Sequence, residues 1–157
     1  MASGEGVRRG HLQVDDLRGV AREVFGAREL VSVERLRGGT SKGVYRLGLA
    51  DGTGAVVYVW HPDENYWPDA QTGTGLSLFE RAHDRLTAVG VRVPRLLLRE
   101  PGGALGDVAV VEDVRGGTLE ELTARDPGRA EVVLARLGSA VRAMHGHTAD
   151  PAQHGVE

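Results

Sequence analysis

Between residues 30 and 60 the chain carries three runs of β-forming residues joined by two turn sequences, and that spacing leaves little topological choice. Leu30 to Leu36 alternates loosely through Val31 and Val33, Val44 to Leu49 follows, and Ala55 to Trp60 is the third run. The connections are Gly38-Gly39-Thr40-Ser41-Lys42-Gly43 and Asp51-Gly52. Asp-Gly supplies the positive φ that a tight hairpin turn requires. Strands joined this closely pair antiparallel, because a parallel partner needs a crossover of roughly a dozen residues or more.

The flanking segments change period. Val14, Leu17, Val20, Ala21, Val24 and Phe25 recur at helical spacing, with Asp15 and Asp16 suited to the N-terminus and Gly26 to the stop. Leu76, Phe79, Ala82, His83, Leu86 and Val89 form a second helical face, ended by Gly90. Pro94 to Arg99 reads as a fourth strand. Pro101-Gly102-Gly103 with Gly106-Asp107 reads as a turn, and Val108 to Val111 as a fifth strand. Thr118 caps a short helix with Leu119 and Leu122, and Arg129 to His145 is a longer helix with Val133, Leu134, Leu137, Val141 and Met144 directed inward. The fold class is α+β: a five-stranded, mainly antiparallel sheet with a packed helix, followed by further helices.

Composition narrows the function classes. With 157 residues, 41% hydrophobic and 26% charged, the chain is long enough for one core and has ordinary globular character. There is no cysteine, hence no disulfide, thiol nucleophile or zinc–thiolate site. No run approaches the roughly 18 apolar residues of a transmembrane helix, and the first residues lack the apolar stretch of a secretory signal. A net charge of −3 argues against a nucleic-acid footprint. A cytoplasmic protein without nucleic-acid or membrane partners is expected. His145, His147 and His154 lack the fixed geometry of a zinc site, so no metal site is assigned. Asn65-Tyr66-Trp67-Pro68 is expected to fold back on the core. Of the 19 basic residues, Lys42 alone is lysine.

Four stretches carry a family resemblance. They are Leu36-Arg37-Gly38-Gly39-Thr40-Ser41-Lys42-Gly43-Val44-Tyr45-Arg46-Leu47; Glu80-Arg81-Ala82 through Gly90-Val91-Arg92-Val93-Pro94-Arg95; Val110-Val111-Glu112-Asp113-Val114-Arg115-Gly116-Gly117-Thr118-Leu119; and Leu137 through Met144-His145. In this order they resemble the N-terminal lobe of the aminoglycoside phosphotransferase and choline kinase-like family, which shares the protein-kinase fold. The resemblance spans about residues 30–146. Residues 1–12, which begin without periodicity, are expected to be a flexible tail, and the resemblance implies a kinase-like N-lobe at 13–112, a hinge at 113–118 and the first helices of an incomplete C-lobe at 119–157.

The resemblance also assigns roles. Gly38, Gly39, Thr40, Ser41, Lys42 and Gly43 would lie over the phosphates of ATP or GTP, since glycines clear the way and leave amides free. Val111, Glu112, Asp113 and Val114 would pass the base as the hinge. Glu80 matches the helix glutamate that pairs with a basic residue of the third strand. That basic position falls on Tyr58, and a phenol is neutral at pH 7. Lys42 is then the candidate for the missing charge, with Arg46 behind it. The family's His-Gly-Asp-x-x-x-x-Asn loop and later magnesium-binding Asp have no counterpart in the sequence, so no catalytic residue is assigned and the chain is expected to be inactive by itself.

The function implied is the nucleotide-binding part of a small-molecule phosphotransferase. Its partners would be a nucleotide and, in a longer form, a hydroxyl acceptor. The final helix offers an apolar face for self-association. The alternative is a non-catalytic nucleotide-binding or interaction module of the same fold, a reading consistent with Tyr58.

Overall fold

A computed structural model describes residues 11–37, 41–64 and 75–146. The elements run α1 (Val14–Phe25), β1 (Leu30–Arg35), β2 (Gly43–Leu49), β3 (Gly54–Trp60), a 3-10 turn at Pro62–Glu64, α2 (Leu76–Ala88), β4 (Leu96–Gly103), β5 (Gly106–Glu112), α3 (Leu119–Arg125) and α4 (Pro127–Gly146). The strands form one sheet in the order β1-β2-β3-β5-β4, and every neighbouring pair is antiparallel. The fold is therefore α+β with a five-stranded antiparallel sheet, as the sequence predicts. Contacts group the residues up to 79 with 94–114 into one compact unit, and 80–93 with those from 115 onward into another.

In the first unit, strand periodicity decides the core. Along β2, Tyr45, Leu47 and Leu49 are buried while Val44, Arg46 and Gly48 alternate with them half-buried. Ala55, Val57 and Val59 of β3 and Val108 and Val110 of β5 share the buried face. Leu17, Val20 and Ala21 of α1 close it. Each large side chain buried this way contributes about 1.5–3 kcal/mol. The helix packed on this face is thus α1. β5 is an interior strand between β3 and β4, and Val108 to Val111 are buried on both faces.

Leu12 departs from the flexible tail expected over 1–12. It is 4% exposed and belongs to the same core, and its N–H donates to the Tyr45 hydroxyl at 3.3 Å. An apolar residue one step before the helix N-cap is well placed to pack back on the core. The rest of the expected tail, residues 1–10, lies outside the described residues, as do Asn65-Tyr66-Trp67-Pro68, His147 and His154.

β4 also differs from the sequence reading. It continues through Pro101-Gly102-Gly103, and the turn shrinks to Ala104 and Leu105. β4 is an edge strand, where a proline without an N–H is tolerated. Gly106 has φ +88°, and a Cβ there would run into the Trp60 carbonyl oxygen. Only glycine lets β5 begin this close to the end of β3.

The second unit contains α3 and α4. Thr118 caps α3: the Glu121 N–H donates to its hydroxyl at 3.2 Å, and its own N–H donates to the Glu121 carboxylate at 2.9 Å. Pro127 opens α4, a first-turn position where proline costs no hydrogen bond. Along α4 only Ala130 is buried, while Val132, Val133, Leu134, Leu137 and Met144 are exposed. Among the described residues no helix is long and apolar enough to cross a membrane.

Candidate functional site

The sheet face opposite α1 follows from alternation and register. Val44 pairs with Tyr58 and Arg46 with Val56 across β2 and β3. Tyr58 pairs with Ala109 and Val56 with Val111 across β3 and β5. Lys42 precedes Gly43 and shares the parity of Val44, which directs it to this same face.

Lys42 lies over two rings. Its Nζ is 4.8 Å from the Tyr58 ring centroid and 5.8 Å from that of Trp60, within cation–π range. Phe79, in the first turn of α2, completes the aromatic cluster. Its ring is 5.4 Å from Tyr58 and 5.7 Å from Trp60, while Tyr58 and Trp60 are 6.0 Å apart. Both pairings of Tyr58 are edge-on, a geometry aromatic quadrupoles favour. Burial pushes the Tyr58 phenol above its usual range, so it stays neutral at physiological pH. No carboxylate among the described residues of this unit forms an ion pair with Lys42.

Arg46 is committed elsewhere. Its Nε and Nη2 donate to the two oxygens of Asp113 at 3.1 and 3.3 Å, and Nη1 lies 3.7 Å from Glu34. Asp113 is only 5% exposed on its side chain. β3 lies between β2 and β5, so the pair reaches across β3. The arginine is neutralised and locked in place, which removes it as a mobile phosphate ligand.

The segment after β5 is anchored on both sides. The Glu112 N–H donates to the Arg95 carbonyl at 2.9 Å, and its carboxylate accepts from the Arg95 N–H at 3.2 Å. Val111 is buried, Asp113 is held by Arg46, and Val114 is 63% exposed. Of the sequence-predicted residues, the structure brings Lys42 and Tyr58 together and places Ser41 and Gly43 beside Lys42. Val111 and Asp113 lie further along the same face. Glu80 is half-buried on α2, in the second unit. Gly38, Gly39 and Thr40 lie outside the described residues.

On the buried face of β2 stands a network that the sequence reading did not find. The Tyr45 hydroxyl donates to Glu64, whose other oxygen is 3.4 Å from Nη2 of Arg35. The Arg35 guanidinium also stacks 5.1 Å over the Tyr45 ring. A Cβ on Gly43 would come within 2.6 Å of the Glu64 carboxylate and 2.8 Å of the Tyr45 ring, so a larger residue there would have to displace these side chains. The available signal was a tyrosine at an inward strand position, which needs a partner for its hydroxyl. The partner sits on a turn beyond the next strand, out of reach of any local pattern.

Among the described residues no group of three or more His, Cys, Asp or Glu side chains could hold a metal ion.

A solved structure from Thermobifida fusca YX-ER1, provisionally assigned as a fructosamine-3-kinase, is similar to this chain at 25% identity with a TM-score of 0.38. The similarity covers 65% of this chain and 33% of that one, so the chain spans about a third of that protein's length. No curated protein sequence matches. The profile of the phosphotransferase enzyme family, APH, matches residues 32–155, well over half of the sequence, and the chain belongs to that family.

Proposed function

We propose that this chain supplies the nucleotide-holding part of a phosphotransferase that moves a phosphoryl group from ATP or GTP to the hydroxyl of a small molecule. The observation that carries the reading is the placement of Lys42 and the end of its Gly-rich loop on one sheet face, in a chain of the phosphotransferase family. On this reading the loop from Gly38 to Gly43 meets the phosphates, and the base lies toward Val111 to Val114. The Glu112 N–H is already bonded within the sheet, so Val114 is the residue whose amide reads the base edge. Orientation of the acceptor hydroxyl is assigned to no residue of this chain.

Tyr58 favours a second reading, a nucleotide-binding module without transfer, because a neutral phenol stands where the family pattern implies a cation. One pair of measurements separates the two. Calorimetric titration with ATP and GTP tests binding, and mass spectrometry over a panel of hydroxyl compounds tests transfer. Binding with a phosphorylated product supports the first reading, and binding without product supports the second. Titrations with no binding overturn both.

A further inference from the structure

The structure points to a relocated phosphate-binding cation: we propose that Lys42, held over the Tyr58 and Trp60 rings, performs the charge pairing that a third-strand base would otherwise perform. The inference rests on the nucleotide reading given above and deepens it by naming the residue that recognises the polyphosphate.

Three observations converge on Lys42. The third-strand position belongs to Tyr58, whose burial keeps it uncharged. Arg46, a cation on this face in the strand beside Tyr58, is bound by both oxygens of Asp113 and flanked by Glu34. Arg35, on the opposite face, is paired with Glu64. Lys42 combines a position at the loop's end and the correct face with the absence of an ion-pair partner among the described residues of its unit.

The aromatic support makes physical sense of the exchange. Ring faces attract an ammonium without neutralising it, and the flexible four-carbon stem leaves it free to turn toward a stronger anion. A phosphate oxygen carries full negative charge and forms a charge-assisted hydrogen bond that a ring quadrupole cannot match. Tyr58 thus occupies the strand position and serves as the seat for the lysine. Phe79, packed on both rings, fixes that seat to the first turn of α2.

The test uses the full chain in metal-free buffer, titrated with ATP and with adenosine. In Lys42→Ala, ATP affinity should fall tenfold or more while adenosine affinity stays within twofold. Lys42→Arg should retain ATP affinity within about threefold. Arg37→Ala, which removes an exposed charge from the loop's other end, should leave ATP affinity within twofold. Equal affinities in wild type and Lys42→Ala would overturn the proposal, as would equal losses for ATP and adenosine or an equal loss in Arg37→Ala. A wild-type chain that binds adenosine and ATP alike removes Lys42 but leaves a nucleoside site standing. A wild-type chain that binds neither overturns the nucleotide reading itself, and this proposal with it.

Discussion

The Tyr45 hydroxyl donates a hydrogen bond to the Glu64 carboxylate, joining the buried face of β2 to the turn that follows β3. Tyr45 is fully buried, and the Glu64 side chain is 10% exposed. Removing the hydroxyl while keeping the ring isolates its polar role. Tyr45→Phe leaves Glu64 short of a donor and the Leu12 N–H without its acceptor. The expected loss is about 1–3 kcal/mol, the usual penalty for an unmatched buried polar group. Urea denaturation followed by circular dichroism reads it as a lower midpoint at unchanged slope.

The same residue sets an alkaline limit. Burial first, and then the bond to Glu64, push the Tyr45 phenol up to about 12 from its ordinary 10.0. The fold favours the protonated form, so its contribution is complete below pH 10 and is lost as pH rises toward 12. Stability measured across that window should fall more steeply for wild type than for Tyr45→Phe. Parallel curves would show that Tyr45 does not govern the loss.

Gly43 is fixed by what stands beside it. A methyl group there meets the Glu64 carboxylate at 2.6 Å and the Tyr45 ring at 2.8 Å. Gly43→Ala should destabilise by about 1–3 kcal/mol through overpacking. In the Tyr45→Phe background the cost should change, since the two sites share a partner and neighbours of this kind are not additive. A double-mutant cycle on urea midpoints measures the coupling.

Arg46 and Asp113 should behave unlike the surface pairs. The Arg18–Asp15 pair is 47% and 90% exposed, and such pairs contribute a few tenths of a kcal/mol that salt screens. Asp113 is 5% exposed and accepts two hydrogen bonds from one guanidinium. Asp113→Asn should cost about 1.5–3 kcal/mol, the range for hydrogen bonds to charged groups. The cost should persist in high salt, where any effect of Asp15→Asn fades.

The sheet was legible because its signals are local. Asp51-Gly52 fixes the second hairpin, and alternation along β2 matches its burial residue by residue. The start of α3 was legible for the same reason, since Thr118 and Glu121 need only each other. The true extent of β4 was hidden because proline and glycine signal a turn. Whether they end a strand depends on its being at the sheet's edge, which is a property of the assembled sheet.

The candidate site divides in the same way. Sequence alone determined that Lys42 is the single lysine and that it closes a Gly-rich loop. Those are matters of order along the chain. Tertiary structure decided that Arg46 is neutralised by Asp113, a residue far away in sequence, and that Lys42 rests on Tyr58 and Trp60. It also decided that α1 is the helix packed on the first unit's buried face. Pairing of charges and stacking of rings depend on distances of a few ångströms between strands, and only strand order and register set those distances.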